Sequence, residues 1–297
     1  MVRHILNTLL ERLKSDGVYV DGVKEQLEKI IIQEQKKVGF MDADEIDLEV
    51  EELFYRIQRL CFDDGAAPNG KIDENFQQGS VGDCWLLAAI KSISNNPKGR
   101  KISDESIKVN SDGSVTVQLK GVNKTYTITK KELYGSKELS TGDLDVRALE
   151  IAVNRYLKEE YYSSWDSHAQ YNIEGNREDV AYDILLGTGK TKTNTGGWGI
   201  IYDYIFHCAN NSSLIKKAKK GDAIINVATP LNITSSVCAQ DTDGNEAAIV
   251  PHHAYSVIDA DDDYVYLINP HDTSRILKMT HDDFKNTFTS WHTVDLT

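Results

Sequence analysis

Cys84 is the residue of this sequence whose surroundings best fit a reactive thiol. It follows the turn-forming pair Gly82-Asp83 and opens the apolar stretch CWLLAAIKSIS, which predicts a helix that begins at the cysteine. The positive end of a helix dipole favours a thiolate, and Gly79 and Gly82 would let the backbone approach a substrate closely. A buried structural cysteine is the alternative, because a free cysteine usually belongs to the core.

Three segments resemble the calpain family of cysteine proteases. QGSVGDCWLLAA around Cys84 resembles the nucleophile segment of calpains, HAYSV from His253 resembles their histidine strand, and Asn269-Pro270 after YVYLI resembles their asparagine. The order Cys, His, Asn is that of papain-like proteases, whose partners meet in space rather than in sequence. The resemblance covers roughly residues 62–297. It implies an α+β, papain-like fold with a helical cysteine lobe and a β-rich histidine and asparagine lobe.

The resemblance also implies a role for each of these residues. Cys84 would attack the scissile carbonyl as a thiolate paired with the imidazolium of His253, which would then protonate the leaving amine. Asn269 would fix the tautomer and orientation of His253. Gln78 would join the Cys84 backbone N–H in an oxyanion hole, where one donor is typically worth about 100- to 1,000-fold in turnover. The expected activity is that of an endopeptidase on protein or peptide substrates, with a thioester intermediate and no redox or organic cofactor.

Four further residues lie near these motifs. Gly175 aligns with a family glycine that pairs with the substrate backbone, and Trp85 is a second substrate-site candidate, although packing beside the site is its more natural role. His252 precedes His253, but period-two alternation would direct the two side chains to opposite faces of a strand. His271 stands where calpains usually have a tryptophan that shields the asparagine–histidine hydrogen bond. The base is therefore expected to be less protected, or shielded by another aromatic residue.

Calpain cores are assembled by calcium, so the resemblance implies a cation site as well. Its ligands would be Asp73, Asn75 and carbonyls near Gly70 in the loop before the cysteine, with Asp143 as the partner carboxylate. A second family site lies in an acidic insertion after the asparagine, and that insertion is expected to be absent. The alternative is that these acidic residues form solvated turns. Activation by Ca²⁺ is therefore a hypothesis.

Composition limits the other classes of function. The 297 residues are 40% hydrophobic, enough for a substantial core, and the formal net charge of -13 argues against a nucleic-acid-binding surface. The absence of a secretory signal and of a bilayer-length apolar run predicts a cytoplasmic protein with no membrane span, although export without such a signal stays open. Cys61, Cys208 and Cys238 form no CxxC pair and are expected to be non-catalytic. Oligomeric state is not predicted.

Hydrophobic periodicity divides the chain into two parts. Residues 1–62 predict a helical region that could be a pro-segment or a docking element, and residues 63–297 predict the protease core. Within that core, about 63–143 would form the cysteine lobe and 144–297 the histidine and asparagine lobe. The predicted elements are helices at 144–162 and near 179–186, a hairpin at 114–119 and 125–128, and strands at 223–228, 254–258 and 264–268.

Two other functions remain open at this stage. One is a catalytically silent, protein-binding homologue, for which His271 is the only support. The other is transglutaminase-like acyl transfer to an amine, which also uses a cysteine and a histidine but usually orients the histidine with aspartate. The intact set of Gln78, Cys84, His253 and Asn269 favours hydrolysis.

Overall fold

A computed structural model describes residues 68–72, 75–136, 138–160, 171–187, 191–194, 220–231, 238–288 and 290–296. The helices of these ranges are α1 (Cys84–Asn95), α2 (Pro97–Asp104), α3 (Lys130–Gly135), α4 (Leu144–Glu160), α5 (Glu178–Leu185) and α6 (His281–Thr287). Within the same ranges, no helix is both long and apolar enough to cross a membrane. The predicted N-terminal helical region, 1–62, lies outside the described residues and stays a prediction.

The strands form two antiparallel sheets in the part of the chain that the structure describes. Three strands, in spatial order β1-β2-β3, make a small sheet, and the others make a large one in the order β4-β11-β5-β8-β9-β10-β6-β7. Their bounds are β1 (Ile107–Val109), β2 (Val115–Leu119), β3 (Lys124–Ile128), β4 (Thr191–Asn194), β5 (Ala223–Ala228), β6 (Cys238–Asp241), β7 (Glu246–Ala248), β8 (Ala254–Ala260), β9 (Tyr264–Asn269), β10 (Asp272–Thr280) and β11 (Ser290–Asp295). The architecture is α+β, and the predicted hairpin and strands are confirmed.

Helix α1 is buried over almost its whole length, which explains its uniformly apolar sequence. The residues from Trp85 to Ser94 are buried, and the alanines and leucines among them have high helix propensity. The helix ends at Asn96, whose side chain accepts hydrogen bonds from the backbone N–H groups of Lys98 and Gly99 and so caps α2. Pro97 occupies the first turn of α2, where its missing N–H costs nothing.

Two hydrophobic cores lie on the two sides of α1 and β8. The first contains the apolar side chains of α1, α4, α5 and the small sheet, and the second contains those of the large sheet and α6. The apolar side chains of α4 and α5 share the core of the cysteine helix, and the predicted lobe boundary at 143/144 stays a prediction. Helical periodicity identified α4 but could not show which core its apolar face joins.

The two lobes are joined by hydrogen bonds that cross between α1 and the large sheet. The hydroxyl of Ser256 on β8 donates to the carbonyl of Ala88 at 2.8 Å. The hydroxyl of Ser92 on α1 donates to the carbonyl of Ile225 on β5 at 3.4 Å. Both serines are buried, so these bonds satisfy polar groups that would otherwise oppose the packing.

A second connection holds the segment before Cys84 against β10. The Phe76 N–H donates to the Thr273 hydroxyl at 2.8 Å, and that hydroxyl donates to the Phe76 carbonyl at 2.6 Å. Both residues are buried. The Gln78 N–H donates to the Pro270 carbonyl at 2.9 Å. The segment that leads to Cys84 therefore lies directly beside the turn that follows Asn269.

We expect Thr273→Val to destabilise the fold by about 1–3 kcal/mol, because it leaves the buried Phe76 N–H without its side-chain acceptor. Thr273→Ser keeps the hydroxyl and removes one methyl group, so it should cost less than about 1 kcal/mol. Denaturant unfolding of the two variants measures the difference. A loss in Thr273→Val no larger than that in Thr273→Ser would contradict this, because the hydroxyl would then contribute no more than the methyl group does.

Candidate active site

The thiol of Cys84 lies at the N-terminal end of α1 and faces the start of β8. Leu86 and Leu87 donate their N–H groups to the Asp83 carbonyl, so the helix begins at the cysteine as predicted. The backbone N–H of Ala254, the first residue of β8, donates to the Cys84 sulfur. Cys84 is half-buried. The nucleophile candidate and the residue after His253 are therefore in direct contact.

His253 is held by both its backbone and its ring. Its N–H donates to the Thr229 hydroxyl at 2.9 Å, and the Thr229 N–H donates to its carbonyl at 3.0 Å. Its ring meets that of Tyr255 edge-on, with centroids 5.2 Å apart, and that of His271 at 4.2 Å. Only 5% of His253 is exposed. The ring therefore has little freedom to leave the end of β8.

Asn269 ends β9 and orients the imidazole of His253. Its Oδ1 lies 2.8 Å from Nε2 of His253 and also accepts the backbone N–H of His271 at 2.9 Å. An amide oxygen only accepts hydrogen bonds, so Nε2 carries the proton. Nδ1 is therefore the ring nitrogen that is left to accept a proton.

Gln78 approaches the site with its backbone, but its side chain turns into its own loop. Its Nε2 donates to the Val81 carbonyl at 2.7 Å. One of the two amide hydrogens is thereby used within residues 78–81. The predicted role of the other hydrogen in an oxyanion hole stays a prediction.

Sequence comparison identifies the family of this arrangement. The family model for calpain family cysteine proteases matches residues 34–281, which is most of the chain. The chain belongs to the calpain family of cysteine proteases. A search of curated proteins finds no match. The match begins inside the region predicted as a separate helical segment, but the described residues begin at 68 and do not test that division.

The calpain catalytic domain is papain-like, and burial determines the protonation of its candidate dyad here. Burial raises the pKa of the Cys84 thiol to about 11, more than the N–H of Ala254 lowers it. Burial also lowers the pKa of His253 to about 4, although the hydrogen bond with Asn269 opposes this shift. Both shifts favour the neutral thiol and the neutral imidazole in the resting protein, because desolvation opposes charge on either group. The thiolate–imidazolium pair that the resemblance implies stays a prediction.

The two candidate substrate residues are placed differently. Trp85 is 1% exposed and donates its indole N–H to the Ile173 carbonyl at 2.7 Å. It is a core residue that supports the loop before α5, which corrects its inclusion in the substrate site. Gly175 lies exposed on that loop in a left-handed conformation, and its N–H donates to the Gly82 carbonyl at 3.0 Å. Its pairing with substrate stays a prediction.

The predictions for Gly79 and for the pair His252 and His253 need physical explanations other than those given by the sequence. A Cβ at Gly79 would lie 2.2 Å from the Glu138 carbonyl oxygen, so this glycine permits a close approach of two backbone segments rather than of substrate. His252 is exposed and His253 is buried, as the alternation predicted. However, β8 begins only at Ala254, and His252 has a φ of 50°. A left-handed residue, not strand alternation, separates the two side chains.

Those predicted calcium ligands that the structure describes make contacts of another kind. Asp143 accepts the N–H groups of Asp145 and Val146 and so caps α4. The carboxylate facing the loop is that of Asp145, whose Oδ2 accepts the N–H groups of Asn69 at 2.8 Å and Gly70 at 3.1 Å. The loop thus presents amide hydrogens where a cation requires oxygens.

The other two predicted calcium ligands are Asp73 and Asn75. Asp73 lies outside the described residues, and the Asn75 carbonyl approaches Gly142. Within the described ranges, no group of three or more His, Cys, Asp or Glu side chains could hold a metal ion. The arrangement of the described residues therefore does not fit the predicted site.

Sequence reasoning missed a buried carboxyl pair beside the nucleophile. Asp83 and Glu150 are both fully buried and in contact, and Glu150 also accepts the Ser140 N–H at 3.0 Å and the Ser140 hydroxyl. Burial, reinforced by the neighbouring carboxylate, raises the pKa of Asp83 well above its ordinary value. These conditions favour a protonated Asp83 beside Glu150, because two adjacent buried carboxylates do not both ionise readily. No hydrogen bond within 3.5 Å joins the two carboxyl groups, so burial beside Glu150 places Asp83 near α4.

A second missed pair joins α5 to β11. Oε2 of Glu178 lies 3.1 Å from Nε2 of His292, and both side chains are almost fully buried. Burial raises the pKa of Glu178 to about 7 and lowers that of His292 to about 4, which favours a neutral carboxyl–imidazole hydrogen bond over an ion pair. When Glu178 is ionised, its charge also raises the pKa of the Cys84 thiol. An acidic residue at a helix start gave no sequence signal for this role.

The Asp83–Glu150 pair makes stability depend on pH. Because the folded pKa of each carboxyl lies above its unfolded value, stability is highest below the unfolded pKa and falls as pH rises through the folded one. We expect Asp83→Asn to flatten this fall by up to about 1.4 kcal/mol per pH unit, the value for one proton. Urea unfolding at a series of pH values measures it.

Asp262→Asn, in the exposed turn after β8, is the control for the loss of one carboxylate. Its free energy of unfolding should depend on pH as that of wild type does. If Asp83→Asn also showed the wild-type dependence, the pKa of Asp83 would not be raised on folding.

Proposed function

We propose that this calpain-family chain is an active endopeptidase in which Cys84, His253 and Asn269 carry out hydrolysis of peptide bonds. The observation that carries this proposal is the 2.8 Å contact between Nε2 of His253 and Oδ1 of Asn269, beside a thiol that contacts the next residue of the same strand. The contact leaves Nδ1 of His253 as the base. The substrates are proteins or peptides, as membership of the family indicates.

The proposed reaction begins from the neutral pair. As the thiol attacks the scissile carbonyl carbon, its proton moves to Nδ1 of His253, and the carbon–oxygen double bond opens to an oxyanion. The Cys84 backbone N–H and the second Gln78 amide hydrogen would stabilise that oxyanion. Collapse breaks the carbon–nitrogen bond, and Nδ1 returns the proton to the leaving amine. The product at this stage is a thioester.

Hydrolysis of the thioester reverses these roles. Nδ1 takes a proton from water as the hydroxide forms its bond to the acyl carbon, and the sulfur leaves and regains a proton from the imidazolium. Throughout, Asn269 Oδ1 accepts the Nε2 hydrogen, so the imidazole keeps one tautomer when neutral. The positive charge on His253 exists only during turnover.

The test is intact mass after treatment with a peptidyl epoxysuccinate, together with cleavage of a protein substrate. Wild type should gain one adduct, and Cys84→Ser should gain none. His253→Ala should lower kcat/KM by about 100- to 10,000-fold, the range for loss of a general base, and Asn269→Ala should lower it by less. Adduct formation without cleavage would indicate a silent binding homologue. Incorporation of an added amine in place of hydrolysis would indicate acyl transfer.

Calcium has no step in this mechanism, and its effect is tested separately. Because Asp145 already holds the 69–71 loop through amide hydrogen bonds, we expect the rate of adduct formation to change less than about twofold between calcium and chelator. The thermal unfolding midpoint is the second readout, since any cation that binds the folded state raises it. A calcium-dependent rise in both would restore the predicted site in a rearranged loop.

A further inference from the structure

His271 contacts the catalytic histidine candidate more closely than any other aromatic ring among the described residues. The centroids of the His253 and His271 rings are 4.2 Å apart, and the ring planes are inclined by 40°. The other ring against His253 belongs to Tyr255, which is buried, and burial raises its pKa to about 12. His271 is exposed. It is therefore the neighbouring ring that can gain a charge near neutral pH.

The same residue also fixes Asn269. The backbone N–H of His271 donates at 2.9 Å to Asn269 Oδ1, the oxygen that receives the Nε2 hydrogen of His253 at 2.8 Å. One residue thus holds the orienting amide with its backbone and covers the imidazole with its side chain. Side-chain substitution removes the second function and leaves the first in place.

We propose that His271 is a positioning residue that supports hydrolysis while its ring is neutral, and that its protonation at mildly acidic pH suppresses turnover. This inference rests on the proposed function, because it requires His253 to become an imidazolium during the reaction. A charged His271 would then place a second positive charge against that imidazolium. Repulsion between unit charges about 4 Å apart near a protein surface corresponds to a rate loss of at least about tenfold.

Among the described residues, the groups around His271 do not neutralise the positive charge that its protonation would create. His271 and His252 are the titratable side chains whose charges act on His253. Asp272 follows His271 in the chain, but its carboxylate accepts the N–H and hydroxyl of Ser274. Burial lowers the pKa of His271, and no carboxylate of the described residues offsets that shift. The suppressing protonation therefore lies below the ordinary histidine value of about 6.5.

The test compares pH profiles of kcat/KM for wild type, His271→Phe and His271→Gln. Phe keeps a flat ring that cannot be charged, and Gln removes both ring and charge. Both variants should keep their plateau value of kcat/KM to lower pH. At pH about 5, the fraction of the plateau value that each variant keeps should be at least about tenfold larger than the fraction that wild type keeps. His271→Gln should have the lower plateau, because its imidazole is uncovered. An acid limb that is unchanged in both variants would overturn the proposal.

A second measurement separates this proposal from the proposed function. NMR titration of His253 in Cys84→Ser, with and without His271→Phe, needs no turnover. The pKa of His253 should rise when His271 is replaced, because the charge of His271 lowers it. If wild type takes up no epoxysuccinate but this rise appears, the catalytic role fails and the histidine coupling stands. If the pKa of His253 is unchanged, the coupling fails whatever the activity.

Discussion

The contact between the first residue of α1 and the first residues of β8 is the constraint on which the candidate site depends. It places the Cys84 sulfur against the Ala254 N–H, one residue from His253. The Ser256 hydroxyl bond to Ala88, one helical turn along α1, holds the same two elements in register. The residues that would do chemistry sit at the ends of these elements, where backbone groups are free to meet a substrate. A shift of either element would separate thiol and imidazole.

Other parts of the fold hold the start of α1 and the start of β8 in contact. On the helical side, the carboxyl group of Asp83 is buried beside that of Glu150, which places the residue before Cys84 near α4. On the sheet side, the Thr273 hydroxyl and the Gln78–Pro270 bond attach the approaching chain to the turn after Asn269. These attachments use buried polar groups with defined hydrogen-bond directions, which specify geometry more narrowly than apolar packing does. The site is thus held from both lobes.

The sequence predicted the features that depend on local pattern and on motif. The start of α1 at Cys84, the strands β5, β8 and β9, and the placement of His253 beside Asn269 follow from periodicity and from the calpain resemblance. It could not predict the features that arise from long-range pairing and burial. Phe76 and Thr273 are 197 residues apart, and neither has a residue type that indicates the other. The pKa shifts of Cys84 and His253 belong to the same class, since desolvation is a property of the folded interior.

Burial has two opposing consequences for the chemistry of this site. It fixes the imidazole and the thiol, but it also makes their charged forms costly, which favours neutral groups before a substrate binds. Charge must then separate only when a substrate supplies the developing oxyanion and closes the cleft to water, where fixed dipoles act most strongly. In such a site, a neighbouring group that can itself gain charge has more influence than it would in water. The ring of His271, 4.2 Å from that of His253, occupies the position at which this influence is greatest.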